Sequence, residues 1–189
     1  MQLILASASP RRKELLSLYG IPFQVRAADI DETMDPAEPA SREVARVSLL
    51  KARAIERGPQ DVVIAADTIV VCDNRILGKP KDPQDAVSML KLLSGRDHQV
   101  MTGCTVLLGD RAETFTEITD LHFRPLTQKE ILRYVRSGEP MDKAGAYGIQ
   151  GGAALFCEKL SGDYYNVVGL PVCRLWQTLT KMVPQWMEV

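Results

Sequence analysis

The 189-residue sequence predicts a mixed α/β fold: a mixed β-sheet flanked by helices, arranged as two lobes around a central cleft. Three features carry that expectation. Short apolar strands alternate with capped helices in the first third of the chain, and a long apolar run at Val62–Val71 supplies a central strand. From His98 to Phe123 the pattern turns to β throughout, which is the material of a second lobe. No internal repeat, low-complexity segment or linker interrupts the chain, so residues 1–189 read as a single domain.

Leu3 to Ala6 reads as a short buried strand. Ser9 follows as N-cap and Pro10 at the first helical position, opening a helix that ends near Gly20. Phe23 to Arg26 is a candidate second strand before the acidic stretch ADIDETMDPAEP, and Ser41 to Arg57 has helical periodicity ended by Gly58. After Val62–Val71, Asp73-Asn74 makes a hairpin turn into Ile76-Leu77. Asp82-Pro83 caps a helix that runs to Leu93 and stops at Gly95. The β-rich middle turns at Gly109-Asp110, and Thr127 with Glu130 forms a capping box for a helix through Ser137. The segment DKAGAYGIQGGAA is too glycine-rich for regular structure and too long for a simple turn, so it is a functional-loop candidate. Ala154 to Leu160 reads as a strand, and Pro171 starts a final helix that leads into a tail carrying Trp176 and Trp186.

Composition narrows the function classes. Hydrophobic residues make up 46% of the chain, enough for a real core, and the formal net charge is -1 with a pI near 6.1. That balance gives no general field for a nucleic-acid polymer, so anion binding must come from local clusters. No run approaches the roughly 20 apolar residues of a membrane span, and the N-terminus lacks the order of a signal peptide; the expected location is cytoplasmic. Cys72, Cys104, Cys157 and Cys173 form no CxxC pair and sit in or beside apolar runs, which reads as reduced, buried thiols. His98 and His122 are too far apart to suggest a metal cage, and both read as structural.

Several residues break local rules. Arg11 and Arg12 follow Pro10 in a helical first turn that already carries partial positive charge. Either they are solvated surface arginines, or they converge with the backbone NH groups on a phosphate-like anion. Lys51 shares a helical stripe with Val44, Val47, Ala54 and Ile55, so its ammonium either snorkels to water or meets a buried acceptor. Asp67, inside VVIAADTIVV, is the strongest anomaly, because an unpaired buried carboxylate costs several kcal/mol. A metal ion, a lysine, or the backbone NH groups of a bulge would each satisfy it. LGKPKD adds Lys79 and Lys81 but lacks the Walker spacing, Glu32 in DIDE is able to join Asp67 around Mg²⁺, and Gln150 places an amide in the glycine-rich loop. Together these are the parts for binding and cleaving a nucleotide polyphosphate.

In this order the motifs LASASPRRKELL, DIDE, KARA, AADTIVV, LGKPKD, LSGRDHQVMTG, EPMDKAGAYGIQG and GDYYNVVGLP cover the chain from about residue 3 to residue 171. They resemble the Maf family of nucleoside triphosphate pyrophosphatases. The resemblance implies a Maf, or inosine triphosphate pyrophosphatase-like, fold and metal-assisted hydrolysis between the α and β phosphorus atoms. The products would be the nucleoside monophosphate and pyrophosphate, with Mg or Mn as the divalent cation. The branch carrying KAGAYGIQG implies dTTP and UTP as the pyrimidine nucleoside triphosphate substrates, and the family implies a possible homodimer. On the same footing Asp67 is the proton acceptor, while Arg11, Thr68 and Gln150 shape substrate choice. Arg12, Lys51 and Lys79 hold the triphosphate, with Ser7 near it and Glu32 beside Asp67 at the metal. After Gln150 the chain reads Gly151-Gly152-Ala153, where the resemblance implies a bulkier residue before or after the glycine. The rival reading is a non-catalytic nucleotide-binding regulator linked to septum formation, or a pyrophosphatase for a modified nucleotide.

Overall fold

A computed structural model of the chain describes residues 1–187. β1 (Leu3–Leu5) is wholly buried, because all three of its side chains are apolar and it pairs on both edges: parallel to β2 (Phe23–Val25) and parallel to β3 (Val62–Cys72). Between β1 and β2, α1 (Pro10–Ser17) starts as the sequence predicts, with the Ser9 hydroxyl accepting from Arg12 N at 3.5 Å and Pro10 in the first turn. α2 (Ala40–Arg53) is shorter than predicted: Pro39 stands at its N-cap, and the chain leaves the helix four residues before Arg57.

β4 (Arg75–Leu77) folds back antiparallel on β3 across the Asp73-Asn74 turn, where both residues have positive φ (48° and 60°). α3 (Pro83–Leu93) is capped by Asp82, whose side chain accepts from Asp85 N. β5 (Asp97–Leu108) and β6 (Arg111–Phe123) form the long predicted β segment, and α4 (Gln128–Arg136) opens with the predicted Thr127–Glu130 capping box. β7 (Cys157–Ser161) lies antiparallel to β6 with an irregularity at His122/Phe123, α5 covers Tyr164–Val168, and α6 covers Val172–Met182. The mixed sheet has the order β2-β1-β3-β5-β6-β7, with β4 on β3.

The chain divides into two compact units. The first comprises residues 1–67, 102–117 and 169–189; the second comprises 68–101 and 118–168, so most of the β-rich middle expected to form the second lobe falls instead in the first unit, and only its two ends belong to the second. In the first unit α2 packs tightly on β5: a Cβ added at Gly103 would collide with the backbone of Val44, and the Ser48 and Thr105 hydroxyls meet at 2.8 Å. In the second, Leu90, Leu93, Leu121, Phe123, Ile131 and Tyr147 form the heart of the core.

Two expectations need correction. The last strand begins at Cys157, not Ala154, because Gly152–Leu155 winds into a 3-10 turn. Cys173 is exposed and Cys157 only half-buried, while Cys72 and Cys104 are buried as expected. Cys173 sits two residues before Leu175, on the side of α6 away from its buried Leu175, Leu179 and Met182. Among the described residues no helix is long and apolar enough to cross a membrane.

Candidate active site

In the first unit the rule-breaking residues satisfy one another. Lys51 sits on the apolar stripe of α2 beside fully buried Val44 and Val47, so its stem is packed and its ammonium stays inside; it is 8% exposed. The ammonium donates to Asp67 Oδ1 at 2.7 Å and lies 2.9 Å from Glu32 Oε1. Snorkelling to water is therefore excluded, and Asp67 meets a cation rather than bulge NH groups. Asp67 is also 8% exposed, whereas the Glu32 side chain is half-exposed, so the pair of carboxylates has one inner and one outer member.

Arg12 is the second cation of this cluster. Its Nε donates to the Gly169 carbonyl at 2.9 Å, and its Nη1 donates to the Ala66 carbonyl at 2.8 Å and to Ser7 Oγ at 3.3 Å. The guanidinium thus grips the residue immediately before Asp67. Burial pulls the Arg12 pKa down and the nearby Asp67 charge partly restores it, which leaves an arginine that is charged at any ordinary pH. Ser7 is buried and also accepts from Ser9 N at 3.2 Å, so its own O–H is left to donate. Arg11, half-buried, precedes Arg12 in the same first turn of α1.

The acidic segment that carries Glu32 is tied to α2 by residues the sequence reading missed. Glu43 Oε2 accepts from Asp35 N at 2.8 Å, and Arg46, in a two-pronged pair with Glu43 at 2.7 Å on each side, donates to the Thr33 carbonyl at 2.8 Å. The Arg46 fork, with the Asp35 NH, holds the Glu43 carboxyl down at about 2. Such an i,i+3 pair is visible in the sequence, but its loop partners are not.

Thr68, Lys79 and Gln150 belong to the second unit. Thr68 follows Asp67 on β3 and is half-buried; Lys79 and Gln150 are exposed. Lys79 and the glycine-rich loop are held together, because Gly145 N donates to the Gly78 carbonyl at 3.0 Å. Gly145, with φ at 66°, lies against Val70 so closely that a Cβ would approach its Cγ2 to 2.8 Å. The predicted loop is thus a set of 3-10 turns, Glu139–Asp142, Ala144–Ala146 and Gly152–Leu155, around the exposed Gln150.

A buried ammonium against two carboxylates, with a guanidinium alongside, is a charge set suited to a polyanion accompanied by a cation. A divalent ion fits this donor set. Among the described residues no group of three or more His, Cys, Asp or Glu side chains could hold a metal, and Mg²⁺ commonly takes only one or two carboxylates, filling its remaining positions with phosphate oxygens and water.

Residues 2–182 match the family model described as Maf-like protein. The dTTP/UTP pyrophosphatase of Bacillus pumilus (strain SAFR-032) is 51% identical over 179 residues, covering 94% of this chain and 95% of that protein. That of Symbiobacterium thermophilum is 53% identical over 181 residues, covering 95% and 93%. A solved HAM1 protein from Coxiella burnetii shares the fold at a TM-score of 0.54 and 15% identity, covering 96% of this chain and 99% of that one.

Proposed function

Because this chain belongs to the Maf family, we propose that it is a dTTP/UTP pyrophosphatase whose chemistry is carried out at Asp67. The reaction cleaves the anhydride between the α and β phosphorus atoms: a water oxygen bonds to the α phosphorus, the bond to the bridging oxygen breaks, and pyrophosphate leaves. The observation that carries this reading is the buried Lys51–Asp67 pair, with Glu32 on the same ammonium and Arg12 bonded to the Ala66 carbonyl.

Asp67 orients the attacking water and takes its proton. Glu32 and Asp67 would hold Mg²⁺ or Mn²⁺, which supplies neutralisation of phosphate charge and a more acidic water. Lys51, released toward the phosphates, and Lys79 stabilise the charge that grows on the bridging and departing oxygens. Arg12 has Nε and Nη1 engaged on carbonyls and the Ser7 hydroxyl, so it serves both to fix the Asp67 strand and to set a positive field for the triphosphate. Ser7 donates its hydroxyl nearby. Arg11, Thr68 and Gln150 choose the substrate, with the Gln150 amide reading the base edge. Residues 1–189 work as one functional domain in the cytoplasm.

Product analysis over dTTP, UTP, CTP and GTP with Mg²⁺ and Mn²⁺ tests the proposal. It expects the monophosphate and pyrophosphate from dTTP and UTP, whose bases differ by one methyl group, worth about 1 kcal/mol of selectivity in an apolar pocket. Release of orthophosphate, or a clear preference for GTP, would defeat it.

A further inference from the structure

The glycine-rich loop around Gln150 is not free. We infer that Tyr134 and Glu139 form a clamp that sets the position of this loop, and through it the selection of the base; the inference rests on the role proposed for Gln150.

The bonds run from a helix to both sides of the glutamine. The Tyr134 hydroxyl, at the inner face of α4, accepts from Gly148 N at 3.0 Å and donates to Glu139 Oε1 at 2.9 Å. The other carboxylate oxygen, Oε2, accepts from Gly152 N at 3.0 Å. Two backbone NH groups, each two residues from Gln150, thus end on one phenol–carboxylate pair. Glu139 is itself held: its NH donates to Ser137 Oγ at 3.2 Å, and its carbonyl accepts from Lys143 Nζ at 2.6 Å. The Tyr134 ring is fixed edge-on against Phe156, with centroids 5.2 Å apart. Burial pushes the Tyr134 phenol well up, so it remains a proton donor to Glu139 across the physiological range.

The same geometry accounts for Gly151. A Cβ there would run into the Glu139 carboxylate, and one at Gly152 would reach 3.1 Å from the Tyr134 ring. The Gly151-Gly152 pair is therefore what lets the loop close onto the clamp. Gln150 itself is exposed, with the backbone secured two residues away on either side. Tyr134 and Glu139 are positioning residues, acting through the loop and not on the phosphates.

The test compares Glu139→Ala, Tyr134→Phe, Glu139→Gln and Gln150→Ala in the full chain. Amide exchange at Gly148 and Gly152 and steady-state kinetics with dTTP, UTP and CTP are the readouts. Losing one or two of these bonds should raise exchange at those amides about three- to tenfold. It should raise KM for dTTP and UTP by a similar factor, narrow their advantage over CTP, and leave kcat within about twofold. Glu139→Gln, which keeps an acceptor for Gly152 N, should recover part of both effects, and Tyr134→Phe keeps the ring packing, so a folding defect is separable. Unchanged exchange, or unchanged KM in the clamp variants while Gln150→Ala loses selection, would overturn the clamp. If Gln150→Ala itself leaves selection intact, the proposed role of Gln150 falls and the inference falls with it.

Discussion

Replacing Asp67 by Asn and Lys51 by Met should separate chemistry from stability at one pair of side chains. Both residues are 8% exposed, and their charged ends are 2.7 Å apart. Asp67→Asn removes the proton acceptor but leaves Lys51 facing Glu32 at 2.9 Å, with an amide oxygen still able to accept from the ammonium. The stability cost should stay within about 1–2 kcal/mol, while loss of a general base lowers turnover by about 10²- to 10⁴-fold. Lys51→Met does the reverse to the fold: it leaves two carboxylates facing each other with no cation between them, one of them buried. Breaking a buried pair in this way costs about 3–5 kcal/mol, which for a chain of this size lowers Tm by on the order of 10 °C. Pyrophosphate release with dTTP and Mg²⁺, binding of a non-hydrolysable dUTP analogue, and thermal unfolding read the three quantities. Near-normal turnover of Asp67→Asn, or a larger unfolding penalty for it than for Lys51→Met, would refute the reasoning.

His98, 3% exposed and packed edge-on against Phe123 and Tyr147, has its imidazole pKa pushed down to about 4 by burial. The folded state therefore resists the proton that the unfolded chain takes up below about 6.5. Stability should fall as pH drops from about 6.5 to 4, by up to about 3 kcal/mol, and urea unfolding across that range with a parallel imidazole NMR titration checks it. The tether of the acidic segment changes in the same direction over a lower range: the Glu43 carboxyl, held at about 2 chiefly by Arg46, gives its stabilisation above about 4.5 and loses it as pH falls toward 2. Glu43→Gln should accordingly loosen residues 33–35 in amide exchange and weaken Mn²⁺ binding to the nucleotide-free protein several-fold, as read by paramagnetic titration.

The sequence made the local grammar of this fold legible and hid its long-range partners. Ser9 with Pro10, Asp82, and Thr127 with Glu130 each announce a helix start through chemistry confined to four residues, and all three operate as expected. Lys51 and Asp67 were visible as anomalies for the same reason, each being a charge out of place in a local apolar pattern. That they answer each other was not visible, since the pairing depends on α2 and β3 meeting through the fold. Glu139 gave no signal: a glutamate after a glycine is ordinary, and its value lies in NH groups nine and thirteen residues away, at Gly148 through Tyr134 and at Gly152 directly. The five-residue α5 escaped because so short a helix shows no periodicity, and the 3-10 turns near Gln150 because glycine permits almost any backbone.

The placement of Glu32 illustrates how an exposed, irregular segment acquires a definite position. Along α2, Glu43 and Lys51 are eight residues apart, about 12 Å at 1.5 Å per residue. Their partners on the acidic segment, Asp35 and Glu32, follow in the opposite order along the chain. Between them the Thr33 carbonyl accepts from Arg46, in register with the same run. The segment therefore runs antiparallel to the helix, fastened at both ends and once between. A segment under three fastenings has fewer alternative conformations, so ordering entropy that an acidic loop would otherwise lose on binding a cation has already been spent in folding. Because the helix that fastens the segment also carries the Lys51 ammonium, and is itself seated on β5 at Gly103, both carboxylates take their positions from one rigid element rather than from the loop.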